Sequence, residues 1–249
     1  MKHQLPTLIL FVCFISFWAC QNDTDRGSQK PQTAQQSNDS TYFQASSDEK
    51  MDAETPQVKE KEMYENTNRM VWQKPDVIIN MMGDLSNKTV ADIGAGTGFF
   101  SKRLAKQADK VIAIDIDQRF LNYIDSVKVL EMAEPIQDRI ETRLAQPDNP
   151  NIQPNEADVI LIVNTFIYIR DKEQYLRTLK ESLSEGGELF IIDFKRKRTE
   201  LGPPSSIRLP LYQMEEMLYQ AGYTNINTND TVLDYQYIIS GQKPVSTSK

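Results

Sequence analysis

The stretch Val90–Phe100, VADIGAGTGFF, constrains the fold of this chain more than any other segment. Gly94, Gly96 and Gly98 stand at every second position, between a short apolar run and a segment with helical spacing. Glycines are placed this way where a backbone must turn sharply out of a buried strand and approach a ligand closely. The stretch predicts a strand at Thr89–Ile93, a tight loop, and a helix from Thr97 to about Ala108 with Phe100 and Leu104 facing inward.

The remainder of the chain repeats that alternation. Val111–Ile114, residues 140–144, Val159–Val163 and Leu189–Phe194 read as strands. The fourth strand, VILIV, is apolar on both faces, as a central parallel strand must be. Pro75 opens a helix with Val77, Ile78, Met81 and Met82 on one face and Gly83 at its end. Asp117 is placed to cap a helix carrying Phe120, Leu121, Ile124 and Val127. Asp171 and Gln174 have capping-box spacing before Leu176, Leu179 and Leu183, and Gly186-Gly187 is the expected stop. Leu211, Met214, Met217 and Leu218 mark a last helix closed by Gly222. Residues 224–232 and 234–240 then read as two strands joined by a short turn. The expected fold over residues 58–249 is α/β: a doubly wound, Rossmann-like sheet, mostly parallel, ending in an antiparallel strand pair.

Ahead of that domain the composition changes twice. Lys2 and His3 give a basic start, and Leu8–Ala19 is an apolar run of twelve residues, a length typical of a signal-peptide core rather than a membrane span. Cys20 follows Ala19 and is followed by polar residues. Residues 1–19 therefore read as a signal peptide. Residues 20–57, rich in Gln, Ser, Asn, Asp and Thr, read as a disordered polar tether spanning on the order of 35 Å. A charged helix is expected over residues 58–68.

Both cysteines, Cys13 and Cys20, and the single histidine, His3, lie in the first twenty residues. The chain beyond Cys20 cannot build a Ser-His-Asp triad, a Cys-His pair, a Cys/His zinc site or a disulfide framework. No spacing suggests a carboxylate metal site, so no metal is expected. The formal net charge of −7 disfavours nucleic acid as a partner, because phosphate backbones reward Lys and Arg.

Acidic residues mark the neighbourhood of the glycine loop. Asp115, at the end of the second strand, is placed to accept both ribose hydroxyls of an adenosine. Asp92, just before the loop, suits a cation and opposes a pyrophosphate. The spacing is G-x-G-x-G, whereas the dinucleotide fingerprint is G-x-G-x-x-G.

ADIGAGTG at 91–98 and AIDID at 113–117 resemble the first and second motifs of class I S-adenosylmethionine-dependent methyltransferases. RMVWQKP at 69–75, ILIVNTFIYI at 160–169 and the GPP of Gly202–Pro204 look like a subgroup of them. The resemblance implies that Asp92, Gly94, Ala95, Gly96 and Gly98 surround the methionine part of the cofactor. It implies that Asp115 holds the ribose, with Ile116 beside it, and that Leu144 and Ala145 lie by the adenine. It places Asn164 and Tyr168 at the end of the fourth strand, facing cofactor or acceptor, with Tyr168 the best candidate for a base. The segment ending at Cys20 likewise resembles a bacterial lipoprotein signal. That implies lipidation of Cys20 and a membrane-anchored place in the cell envelope; an ordinary secretory signal, or a cytoplasmic product starting at Met51 or Met63, is the alternative.

Other readings stay open at this level. Tyr168 and Lys172 match the Y-x-x-x-K of short-chain NAD(P)-dependent oxidoreductases, but Asp171 is expected to cap a helix between them. Arg69 and Trp72 either lid the pocket or pack on the core. Lys195–Arg198 is a solvated basic loop or a mouth for an anionic substrate or lipid headgroup. Besides methyl transfer to an unidentified small-molecule or lipid acceptor, the motifs allow a tethered S-adenosylmethionine-binding protein without catalysis.

Overall fold

The computed structural model describes residues 68–246. The signal segment, Cys20, the polar tether and the expected helix up to residue 67 lie outside the described residues.

Two short helices open the described chain, α1 (Arg69–Gln73) and α2 (Pro75–Met81). Seven strands then form one sheet: β1 (Thr89–Ile93), β2 (Lys110–Asp115), β3 (Ile140–Leu144), β4 (Ala157–Val163), β5 (Leu183–Phe194), β6 (Thr224–Asn229) and β7 (Gln236–Gln242). Their order is β3-β2-β1-β4-β5-β7-β6. The pairings from β3 across to β5 are all parallel, and β7 runs antiparallel to both β5 and β6. A parallel neighbour needs a crossover, and helices supply it up to β5. The residues between β6 and β7 are too few for one, so the chain turns back as a hairpin.

The crossovers are α3 (Ser101–Leu104), α4 (Gln118–Glu131), α5 (Glu134–Gln137), α6 (Lys172–Ser182) and α7 (Leu211–Ala221), with a single 3-10 turn at Phe166–Tyr168. Asp117 caps α4 by accepting from Arg119 N at 2.9 Å, and Asp171 caps α6 by accepting from Gln174 N at 3.0 Å. Gly222 ends α7 in the left-handed region at φ 82°.

Both faces of the sheet are buried. On one, Ala91, Ile112, Ile160 and Ile191 meet Leu176 and Leu179 of α6 and Met214 and Leu218 of α7. On the other, Val90, Val111, Leu161 and Ile192 meet Ile78 and Ile79 of α2, Leu104 of α3 and Ile124 of α4. Each such side chain contributes roughly 1.5–3 kcal/mol on leaving water, which is why the central strands carry almost no polar residue.

Four local expectations are corrected. On α2, Ile78 and Met82 bury as expected, but Val77 and Met81 are exposed and Ile79 takes their place. The regular part of the helix after the glycine loop is only Ser101–Leu104, because the residues before it follow the loop's own turns. Helix α6 stops at Ser182, so Leu183 opens β5 and Gly186 and Gly187 lie inside that strand. There Gly187 passes close to Asp158 O and Ser184 O, where a Cβ would lie only 2.9 Å from each. The last two strands are Thr224–Asn229 and Gln236–Gln242, one shorter and one later than the pattern predicts.

Candidate functional site

The switch in strand order falls between β1 and β4, where the crossovers leave in opposite directions; in open α/β sheets ligands bind at the carboxyl ends beside such a switch. The glycine loop lies there. Its N–H groups are already used: Gly94 N and Ala95 N donate to Ile114 O at 2.9 and 3.0 Å, and Gly98 N donates to Ala95 O at 2.9 Å. Gly96 N donates to Asp115 Oδ2 at 2.9 Å. An incoming pyrophosphate would find none of these four groups open. The regular helix that follows the loop, α3, has only four residues.

The glycines have identifiable reasons. A Cβ on Gly94, which sits at φ 74°, would lie 2.2 Å from Thr165 Oγ1. What approaches Gly94 is thus the tip of β4. A Cβ on Gly98 would meet Ile124 of α4 at 3.1 Å, so that glycine serves helix packing as the sequence implied.

Beneath the loop, Asp92 is only 2% exposed and accepts from Ser101 Oγ at 2.6 Å. Burial pushes its carboxyl up to about 6, against the opposing pull of the Ser101 hydrogen bond and of Arg69. Asp115 is buried at the end of β2 and holds two elements with its two oxygens, the loop through Gly96 N and the start of α4 through Asp117 N at 3.0 Å. Beyond it Ile116 is 48% exposed, and Ala145 N donates to Asp115 O at 2.9 Å. Asp92, Asp115, Ile116 and Ala145 are therefore gathered at one end of the sheet with Gly94, Ala95, Gly96 and Gly98.

Asn164 also arrives there, in the left-handed region at φ 58°, its backbone N held by Ile192 O at 2.9 Å. Asparagine is, after glycine, among the residues that adopt this region most readily, so the turn out of β4 is accommodated without strain. Tyr168 is 53% exposed on the 3-10 turn. It does not share a helical turn with Lys172, which is the first residue of α6 and donates to Ile169 O at 2.5 Å. The tyrosine–lysine pair of an oxidoreductase is not formed.

Helix α1 covers the loop from the side. Left-handed Asn68 and Lys74, at φ 65° and 48°, bracket it. Arg69 places its guanidinium 4.0 Å from the Phe99 ring centre, a cation–π contact beside the glycine loop. Trp72 is buried, 5.8 Å from the Phe194 ring and 6.5 Å from that of Tyr235. Of the two residues expected to lid or pack, Arg69 reaches the site and Trp72 packs. The basic run divides similarly. Lys195 Nζ donates to Leu233 O at 2.7 Å and so ties down the β6–β7 connection, while Arg196, Lys197 and Arg198 are exposed. Arg208 is buried and stitches the loop after β5 through Pro203 O, Lys197 O and Leu201 O.

Three buried polar residues were not picked out as site residues by the sequence. Gln73 and Gln236 are fully buried and hydrogen-bonded to each other at 3.0 Å. Asp193, the one acid in the apolar run of β5, accepts from Phe194 N at 2.8 Å and also from the Ile167 backbone. Its Oδ2 has no partner among the described residues, and neither has the hydroxyl of Tyr237, its register partner on β7. Burial pushes the Asp193 carboxyl up to about 7. An acid in an otherwise apolar strand was the signal that could have found it.

Residues 91–189 match the methyltransferase domain family. A ribosomal RNA small subunit methyltransferase A of Koribacter versatilis is 32% identical over 109 residues, which is 40% of this chain and 38% of that protein. A phosphoethanolamine N-methyltransferase 1 of Triticum aestivum is 31% identical over 125 residues, 48% of this chain and 24% of that one. The chain thus spans well under half the length of these curated relatives. A solved S-adenosylmethionine-dependent methyltransferase from Aquifex aeolicus superposes with a TM-score of 0.65 at 23% identity, covering 74% of this chain and 97% of that one, a likeness of fold. The matched segment spans β1 to β5 and contains the glycine loop, Asp115 and the β4 tip.

Proposed function

We propose that the chain binds S-adenosylmethionine at the carboxyl ends of β1 and β2 and methylates a small-molecule or lipid acceptor. The observation that carries this reading is the pair of buried carboxylates, Asp92 below the loop and Asp115 beside it, in a loop whose N–H groups are already bonded. That arrangement favours a ligand with a cationic centre and ribose hydroxyls over one that leads with a pyrophosphate. Each Asp115 oxygen keeps a lone pair after its backbone bond, so ribose hydroxyls still have acceptors. Ile116 and Ala145 offer apolar surface for the adenine, and Asp92 offers negative charge for the ammonium and sulfonium side. The sulfonium supplies an electrophilic methyl group, so what remains for the protein is alignment of a nucleophile and exclusion of water. Asn164 and Tyr168 are the residues proposed to face the acceptor. The net charge of −7 disfavours RNA as that acceptor, although the Koribacter versatilis relative is named for it.

Calorimetric titration of the full chain with S-adenosylmethionine is expected to give micromolar binding, with NAD giving none. Asp115→Ala should weaken that binding about a hundredfold, the value of hydrogen bonds to a charged group. Absence of S-adenosylmethionine binding, or preference for NAD, overturns the reading.

Anchoring of the domain through lipid at Cys20, in the bacterial cell envelope, is proposed with it. A radiolabelled fatty-acid precursor should label the chain, and Cys20→Ala should abolish the label. An unlabelled parent chain would overturn anchoring and leave the secretory and cytoplasmic alternatives.

A further inference from the structure

Four side chains link α1 to the tip of β4 in one hydrogen-bonded line. Arg69 Nε donates to Gln73 Oε1, Gln73 Nε2 donates to Gln236 Oε1 at 3.0 Å, and Gln236 Nε2 donates to Asn164 Oδ1. The two glutamines in the middle are fully buried.

The direction of that line is forced. A carboxamide is nearly symmetric in shape, and either end can face a neighbour. A guanidinium is not symmetric in this sense, for it has only donors. Arg69 therefore requires an oxygen from Gln73. Gln73 must then turn its NH2 to Gln236, which shows its oxygen there and its NH2 to Asn164. Reversing one glutamine alone would set like groups face to face between fully buried side chains.

The consequence falls on Asn164. Its oxygen is taken by Gln236, and no described residue accepts from its amide nitrogen. Thr165, the next residue, touches the glycine loop at Gly94, which places this nitrogen at the carboxyl ends of the strands. The left-handed backbone of Asn164 holds it there.

We propose that Arg69, Gln73 and Gln236 form a polarised relay of positioning residues that fixes Asn164 as a hydrogen-bond donor to the site. The ligand atom that meets Asn164 is then an oxygen with a free lone pair, as in a carboxylate, phenolate or phosphate, and not the N–H of an ammonium group. This rests on the proposed function only in placing a ligand at the strand ends. The relay also makes helix α1 part of the site: its anchor sets a polarity expressed at the far end of the line.

Side-chain amide NMR on the full chain, labelled with 15N at Asn and Gln, tests the relay without a ligand. In the parent protein the Gln73 and Gln236 NH2 protons should exchange slowly and those of Asn164 rapidly. Gln236→Glu keeps an oxygen toward Gln73 but can no longer donate. Asn164 must turn its NH2 inward to the new carboxylate, and its exchange should slow about tenfold, the protection of one net hydrogen bond. Slow Asn164 exchange in the parent, or no change in Gln236→Glu, overturns the relay.

If the buried carboxylate prevents folding, Arg69→Leu at the rim replaces it. Faster Gln73 and Gln236 exchange supports the relay, and unchanged exchange overturns it. Acetate should move the Asn164 signals of the parent and methylammonium should not; the reverse, or no movement with either, overturns the ligand assignment. Failure of S-adenosylmethionine to bind would remove the proposed function while leaving these signals as predicted.

Discussion

Gly94→Ala is expected to abolish S-adenosylmethionine binding and to destabilise the domain by about 3 kcal/mol or more. Two costs combine. The residue sits at φ 74°, a conformation that an L side chain adopts only with strain, and the added methyl would lie 2.2 Å from Thr165 Oγ1. Thr165 cannot simply step aside, since its hydroxyl is bonded to Val163 O at 3.0 Å and its chain continues into the 3-10 turn. The loop must move instead. Doing so breaks the Gly94 and Ala95 bonds to Ile114 O and draws Gly96 away from Asp115. Denaturant unfolding of parent and variant, with calorimetry on the ligand, measures both effects. Parent-like stability with retained binding would show that the loop has freedom the structure does not suggest.

Raising the pH from 5.5 to 8 should destabilise the protein, by about 2 kcal/mol from Asp193 alone. Burial lifts Asp193 to about 7 and Asp92 to about 6. In the unfolded chain both are ionised above about pH 4. Between that point and the raised values, the folded state binds protons that the unfolded state has released, so stability falls as pH rises. The contribution is complete below the unfolded value and is lost through the folded one. Glu156 acts in the opposite sense: its hydrogen bonds to Arg143 hold it down to about 2, so its contribution is complete above about pH 4.5 and is lost as pH falls toward 2. Maximum stability is therefore expected near pH 5. Thermal melts should show the midpoint dropping by about 5 °C across the interval for a domain of this size. Asp193→Asn should flatten most of that slope, and an unchanged slope in the variant would assign it to other groups.

The architecture follows from local pattern in this chain. Strands with β-branched apolar residues on both faces must be central and parallel, and Asp117 and Asp171 mark helix starts because their side chains satisfy orphan N–H groups. The same local logic marked Gly94, Gly96, Gly98, Asp92 and Asp115, since a glycine-rich turn and a strand-end acid are visible one residue at a time. Where local pattern misled, a partner distant in sequence decided. Gly186 and Gly187 look like a helix stop, yet they extend β5, because Gly187 must pass close to Asp158 of β4. Val77 and Met81 have the spacing of a buried face, but the sheet meets the neighbouring one.

The polar groups inside the molecule show the division most clearly. Gln73 and Gln236 are 163 residues apart, and neither has any reason to be buried until the other is beside it. Asp193 and Tyr237 become neighbours only through the β5–β7 register. Sequence alone thus determined the layers, the order of helices and strands, and the loop where a ligand is proposed to bind, because these depend on residues close together in the chain. The tertiary structure alone decided which of the loop's N–H groups are open, how far Asp92 and Asp193 are lifted, and which way Asn164 faces, because those depend on contacts that exist only once the chain has closed on itself.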